Sequence, residues 1–93
     1  MILPVNYDET PSMMRRLVRQ EYAIKQEGKC YYCNESLDGN PESKVLRKSI
    51  MKEAFPIGFF KNPIHLHHDH TTGMTLGAVH AHCNAVLWQY HGE

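Results

Sequence analysis

Several residue types are scarce in this 93-residue sequence, and each shortage excludes a class of protein. Three cysteines are too few, and odd in number, for a disulfide framework. No apolar run approaches the ~18–20 residues that a membrane-spanning helix needs, and the first residues lack the pattern of a secretory signal. We therefore expect no membrane association and a reducing, cytoplasmic setting, in which thiols bind metal more often than they form disulfides.

Length also limits how the protein can be stabilised. A chain this short forms one domain, here residues 1–93, and buries only roughly 60–65% of the surface that its unfolded form exposes. Small domains of this kind usually need disulfides, a structural metal or oligomerisation. Since there is little room for a dedicated dimerisation arm, we expect a monomer or a weak homodimer in which a metal supplies the stability.

The formal net charge is zero, so the net charge of the chain gives no reason to expect a polyanionic partner. The distribution is uneven, because the stretch from Ile64 to Glu93 contains no Lys or Arg and carries histidines instead. Two basic segments flanking a histidine-rich centre suit nucleic acid, although solvated helix faces produce the same pattern. The candidate phosphate contacts are Arg15, Arg16, Arg19, Lys44, Arg47, Lys48 and Lys52.

Hydrophobic spacing predicts an α+β domain. Residues 1–9 are expected to form an extended arm, followed by a helix over residues 11–26 and a second helix over residues 41–55. The alternation in "PIHLHH" and the pattern of "MTLGAVHA" predict two short strands joined by a "TTG" turn. A final amphipathic helix, "CNAVLWQYHG", is expected to stop at Gly92.

The cysteines have the spacing of a zinc site. Cys30-x-x-Cys33 is a zinc-knuckle half-site, and His80-x-x-Cys83 has the same spacing at the start of the last helix. These four residues predict a closed Cys₃His site, with His82 as the competing nitrogen ligand. A thiol redox pair is the alternative for Cys-x-x-Cys, but it usually accompanies a βαβ pattern that this sequence lacks. Three buried free thiols are a third, simpler interpretation.

Four histidines crowd the stretch "IHLHHDHTTG", residues 64–73. On a regular strand, His65 and His67 would share one face, while His68 and His70 would share the other. Adjacent His67 and His68 can serve one site only where the strand ends or kinks, and the following Thr-Thr-Gly turn makes such an end plausible. Half-exposed strand histidines without chemistry are the simpler interpretation of this cluster.

The stretch "HHDHTTGMTLGAVHAHCN", residues 67–84, resembles the core of the HNH (ββα-metal) nucleases, in particular the branch of phage recombination endonuclease VII. "QEGKCYYC", residues 26–33, also resembles that branch's approach to its first cysteine pair. The resemblance covers about half the chain. It implies a zinc-stabilised, treble-clef-like ββα-metal domain with core residues 26–91, an N-terminal helix and a helical insertion at 40–63.

The resemblance also implies a role for each matched residue. Cys30, Cys33, His80 and Cys83 fall on the structural zinc ligands, with His80 in place of the usual cysteine. His67 and Asn84 fall on the ligands of a catalytic divalent ion, where the family usually has Asp in place of His67. His68 falls on the general base and His70 on an auxiliary active-site histidine. Leu76 replaces an arginine of the family, which removes an expected phosphate contact.

These roles describe a metal-dependent endonuclease that nicks or cleaves DNA, in the host cytoplasm if the chain is phage-encoded. The implied cofactors are structural Zn²⁺ and a catalytic Mg²⁺, Mn²⁺ or Ni²⁺. Because a histidine ligand favours the softer ions, we expect activity with Mg²⁺ and higher activity with Mn²⁺. The alternative function is a non-catalytic zinc module that binds DNA or protein through the same fold.

Overall fold

The computed structural model describes residues 1–92 and has the predicted α+β class. Three α-helices and two strands account for its regular structure, and no helix within this range is long and apolar enough to cross a membrane. The elements in chain order are α1 (Ser12–Lys25), α2 (Ser43–Leu46), a 3₁₀ turn (Lys52–Ala54), β1 (Ile64–His68), β2 (Thr75–His80) and α3 (Ala81–His91).

The two strands form an antiparallel hairpin with one irregularity. The register pairs His67 with Gly77 but His68 with Thr75, which places a bulge between the two adjacent histidines. A bulge bends the strand and redirects the side chains on either side of it. The extra residue is Leu76 on β2, and His67 is buried while His68 is half-buried, so the two adjacent histidines face different surroundings.

Helix α1 packs on β2 through its apolar face. Val18 and Tyr22 are buried, and the Tyr22 hydroxyl lies 2.8 Å from Thr75 Oγ1. At the end of the helix, the Gln26 side chain accepts a hydrogen bond from the backbone N–H of Ala78 at 2.8 Å and donates to its carbonyl oxygen at 2.9 Å. The Gln26 amide thus provides hydrogen-bond partners for the backbone N–H and carbonyl oxygen of Ala78 at the outer edge of β2, as a third strand would.

The N-terminal arm lies beside the start of β2. Thr75 N–H donates to Val5 O at 2.9 Å, and Tyr7 N–H donates to Gly73 O at 2.8 Å. Because these bonds hold the arm in an extended conformation against the hairpin, they bring the Tyr7 ring to the end of β1.

The predicted helix over residues 41–55 is wrong. Only Ser43–Leu46 is α-helical, and a 3₁₀ turn follows after a gap. Side chains of α3 bind the intervening backbone: Gln89 accepts from Met51 N–H at 2.9 Å and donates to Ser49 O at 3.0 Å, and Tyr90 donates to Ser49 O at 2.7 Å. These tertiary bonds replace helical bonds that the local pattern alone would favour.

The hydrophobic core joins α1, the hairpin and α3. Helix α3 contributes its buried face and ends at Gly92 with φ 71°, the left-handed conformation that glycine favours, as predicted. The core side chains are Val18, Tyr22, Cys30, Leu37, Val45, Leu66, Ala78, Val79, Cys83, Val86 and Leu87. Two of the cysteines therefore lie inside the core.

Gly77 lies where two side chains cross β2, and its replacement by alanine tests this packing. A Cβ atom there would lie 2.8 Å from Gln26 Oε1 and from two ring carbons of Tyr31. We expect Gly77→Ala to lower the free energy of unfolding by about 1–3 kcal/mol through overpacking. The matched control is Gly39→Ala, whose Cβ would meet only ordinary contacts at 3.7 and 3.9 Å. Urea unfolding in excess zinc measures both, and equal midpoints would contradict the packing described.

Candidate functional site

Cys30, Cys33, His80 and Cys83 form a cluster whose ligand atoms all lie within 4.8 Å of one another. The first two belong to a tight turn after α1, closed by bonds from Cys30 N–H to Glu35 O and from Asn34 N–H to Cys30 O. His80 ends β2, and Cys83 lies in the first turn of α3. The cluster can therefore hold a structural metal such as zinc, as the spacing predicts.

Distances within the cluster fit tetrahedral coordination. His80 Nδ1 lies 3.4 Å from Cys33 Sγ and 3.5 Å from Cys83 Sγ. An imidazole nitrogen and a thiolate bound tetrahedrally to one zinc ion would be about 3.5 Å apart, from the usual Zn–N and Zn–S distances. His80 Nδ1 is thus spaced from these two sulfurs as it would be around an ion.

The nitrogen ligand is oriented by a backbone carbonyl. His80 Nε2 lies 2.7 Å from Ser36 O, and because a carbonyl oxygen only accepts, Nε2 carries the proton. His80 Nδ1 is left with a lone pair directed at the sulfurs, as in metal sites where a second hydrogen bond fixes the tautomer. His82 instead bonds Val45 O through Nε2 at 2.9 Å, which assigns the nitrogen position to His80.

The thiols are electrostatically coupled. A hydrogen bond from the Cys83 side chain is the main cause that lowers the pKa of Cys30, whereas the same contact and burial raise the pKa of Cys83. The cluster therefore tends to hold one negative charge before several. A bound cation would relieve the repulsion among three thiolates, which is the chemistry expected of a Cys₃His site.

A separate cavity of about 580 Å³ is lined by residues of α1, β1, α3 and the segment 54–62. Its walls combine imidazoles, an amide, two guanidinium groups and several aromatic rings. The lining residues that bear on function are Tyr7, Arg15, Arg19, Phe55, Phe59, His65, His68, His70, Asn84 and Trp88. Three of the four clustered histidines thus open into one space with Asn84.

His68 is held by stacking. Its ring lies parallel to that of Tyr7, with centroids 3.9 Å apart and an interplanar angle of 9°. The Arg15 guanidinium lies 4.0 Å from the same Tyr7 centroid, so the two groups must occupy opposite faces of the ring. Burial lowers the pKa of His68, and nearby His70, with ring centroids 4.7 Å apart, lowers it further. His68 is therefore a neutral imidazole at neutral pH.

His65, not His67, contacts Asn84. The Asn84 side-chain amide lies 3.1 Å from His65 Nδ1, and His65 Nε2 donates to Phe59 O at 2.8 Å. That second bond leaves the lone pair of His65 on Nδ1, facing Asn84, and burial lowers the His65 pKa. His67 is only 1% exposed and lies against Tyr31, with ring centroids 6.2 Å apart.

The basic residues predicted to contact phosphate divide into two groups. Arg15 and Arg19, one helical turn apart on α1, line the cavity. The others lie outside it on exposed surface: Arg16, Lys44, Arg47, Lys48 and Lys52. Only the α1 pair is therefore placed to act with the histidines.

Sequence reasoning missed three contributors to the cavity. Tyr7 and the aromatic residues of segment 54–62 carry no motif, and only contacts formed in the folded chain bring them to the site. The strand pattern alone does not show which histidine faces α3, so it does not single out His65 as the contact of Asn84.

Comparisons with protein-family models, curated proteins and solved structures found no match. Function must therefore be inferred from the chemistry of the residues themselves. The structure offers two kinds of donor set: a soft, closed Cys₃His cluster and an open cavity with nitrogen and amide donors. The first kind is typical of structural metals, and the second leaves room for a ligand.

Replacing the two competing histidines separately tests the metal centre. We expect the purified protein to contain about one zinc ion per chain, and His80→Ala to lose it and unfold, because structural zinc supplies ~10 kcal/mol or more of binding free energy. His82→Gln should keep the metal, since His82 lies outside the cluster and its Nε2 is bonded to Val45 O. Elemental analysis and circular dichroism measure both. A zinc-free protein with a Cys30–Cys33 disulfide would support the redox interpretation instead.

Proposed function

We propose that this protein is a small, zinc-stabilised endonuclease of the HNH (ββα-metal), treble-clef-like type that nicks or cuts DNA. The observation that carries the proposal is the convergence of neutral His68, the His65–Asn84 pair and the Arg15–Arg19 pair on one cavity. Hydrolysis of a phosphodiester needs a base for water, a cation near the phosphate and charge-neutralising groups. The cavity offers residues for each of these tasks.

His68 is the proposed general base. It lines the cavity, and its lowered pKa keeps the ring nitrogen free to accept a proton from water at neutral pH. Stacking on Tyr7 restrains the ring, and a base held in position accelerates the reaction more than a mobile base does. His70, whose ring is next to His68, is proposed to contact phosphate or to aid proton transfer.

His65 and Asn84 would hold the catalytic divalent ion. Two adjacent ligands of an octahedral ion bound at ~2.1 Å lie about 3.0 Å apart, and the Asn84 amide is 3.1 Å from His65 Nδ1. A half-turn of the amide would present its oxygen beside that nitrogen, giving two donors that face one cation. Such an ion would supply Lewis-acid stabilisation of charge on the phosphate and the leaving oxygen. We therefore propose His65, rather than His67, as the nitrogen ligand.

Arg15 and Arg19 are the proposed phosphate contacts. Both line the cavity from α1, and guanidinium groups bind phosphate oxygens in a planar, bidentate manner. Leu76 provides no such group on β2, so these arginines would replace the contact that the resembling family makes there. Together they give a locally positive cavity on a chain with no net charge.

Loss of the base tests catalysis directly. His68→Ala should lower cleavage of supercoiled plasmid by about 100-fold or more while zinc content, circular dichroism and DNA binding stay unchanged. His91→Gln is the matched control, because His91 is exposed and its Nε2 lies 3.2 Å from the Tyr32 hydroxyl, away from the cavity lining. If wild-type protein with Mg²⁺, Mn²⁺ or Ni²⁺ leaves plasmid, nicked and branched DNA intact, the protein is a non-catalytic zinc module instead.

Substitution of His65 tests the ligand assignment. His65→Ala should weaken Mn²⁺ binding and abolish metal-dependent cleavage, whereas His65→Asp should restore activity and shift the preference from Mn²⁺ toward Mg²⁺, because a carboxylate is the harder ligand. Calorimetric titration of zinc-loaded protein with Mn²⁺ gives a readout independent of cleavage. An unchanged Mn²⁺ affinity in His65→Ala would show that the ion is held elsewhere.

A further inference from the structure

Four aromatic rings form a cluster outside the hydrophobic core. Phe55 contacts the rings of Phe59, Phe60 and Trp88, with centroids 4.7, 5.9 and 5.3 Å away. None of the four belongs to the core cluster of residues 1–92. Trp88 is 46% exposed and the three phenylalanines are half-buried, so the rings keep surface available to a ligand.

Three of these rings line the same cavity as the arginines. Phe55, Phe59 and Trp88 face the cavity from segment 54–62 and α3, while Arg15 and Arg19 face it from α1. Its volume, about 580 Å³, lies within the range of roughly 300–1,000 Å³ typical of small-ligand pockets. An apolar, aromatic wall and a cationic wall in one pocket match a ligand with a flat ring at one end and an anion at the other.

We propose that the cavity binds one unpaired nucleotide of DNA, with its base on the Phe55–Trp88 surface and its phosphate at Arg15 and Arg19. The inference rests on the proposed function and specifies its substrate. Bases inside a continuous duplex are stacked on their neighbours, so they cannot also stack on protein rings without leaving the helix. Single-stranded DNA presents free base faces, and aromatic platforms beside cationic grooves are how proteins bind it.

Phe60 provides an internal control for this assignment. Its ring contacts Phe55 and Phe59, with centroids 5.9 and 4.9 Å away, but it is not among the residues that line the cavity. If the rings served only to pack segment 54–62 against α3, loss of either Phe55 or Phe60 would act in the same way. A base-binding role requires that only the cavity-lining ring matter.

Trp88 reports on the cavity, because it is the only tryptophan of the chain. The experiment titrates zinc-loaded His68→Ala protein, in which we expect cleavage to be slow, with oligothymidylate, with an abasic phosphodiester of the same length and charge, and with duplex DNA. We expect oligothymidylate to quench Trp88 fluorescence and to bind about ten-fold or more tightly than the abasic strand, the size of a stacking contribution. Duplex DNA should quench little.

Two variants complete the test. Phe55→Leu should remove most of the preference for oligothymidylate over the abasic strand, whereas Phe60→Leu should retain it. Equal affinity for the two strands, or an equal effect of the two variants, would overturn the inference. Plasmid cleavage by wild-type protein is measured separately. Cleavage without a preference for oligothymidylate would contradict only the proposed nucleotide-binding site. A preference for oligothymidylate without cleavage would contradict only the proposed nuclease activity.

Discussion

The arrangement of this domain depends on the Cys₃His cluster. Its two half-sites are separated by almost fifty residues, and they join the turn after α1 to the junction of β2 and α3. Asn84 directly follows the ligand Cys83, so whatever holds Cys83 also sets the position of Asn84 against β1. A metal bound by the cluster would let a chain too short for a large core place this polar pair accurately, because metal–ligand bonds are short and directional.

The hairpin determines what Asn84 meets. Successive residues of a strand face opposite sides, so His67 lies in the interior while His68 lies at the cavity, where Tyr7 of the N-terminal arm stacks against it. A buried histidine, His67, and a histidine of the cavity, His68, are thus adjacent in sequence. The Cys₃His cluster and the open, partly cationic cavity share no residue, which is the separation that the proposed nuclease requires.

Regular local patterns predicted much of this structure. Strand alternation, the Thr-Thr-Gly turn and the terminal Gly92 correctly located the hairpin and α3, and the matched Cys-x-x spacings located the metal cluster. The helix over residues 41–55 failed because Gln89 and Tyr90, remote in sequence, bind its backbone. The contact of Asn84 with His65 depends on how α3 packs against β1, which no pattern of period two or 3.6 encodes.

A metal bound by the Cys₃His cluster would organise the cavity. Zinc titration of metal-free protein, followed by NMR of its ¹⁵N-labelled histidine rings and Asn84 amide, measures this dependence. We expect the His80 Nδ1 signal to shift on coordination and the His65, His68 and Asn84 signals of the folded cavity to emerge with it, all complete at one equivalent of zinc. Native-like cavity signals in the metal-free protein, unchanged as zinc is added, would contradict this expectation.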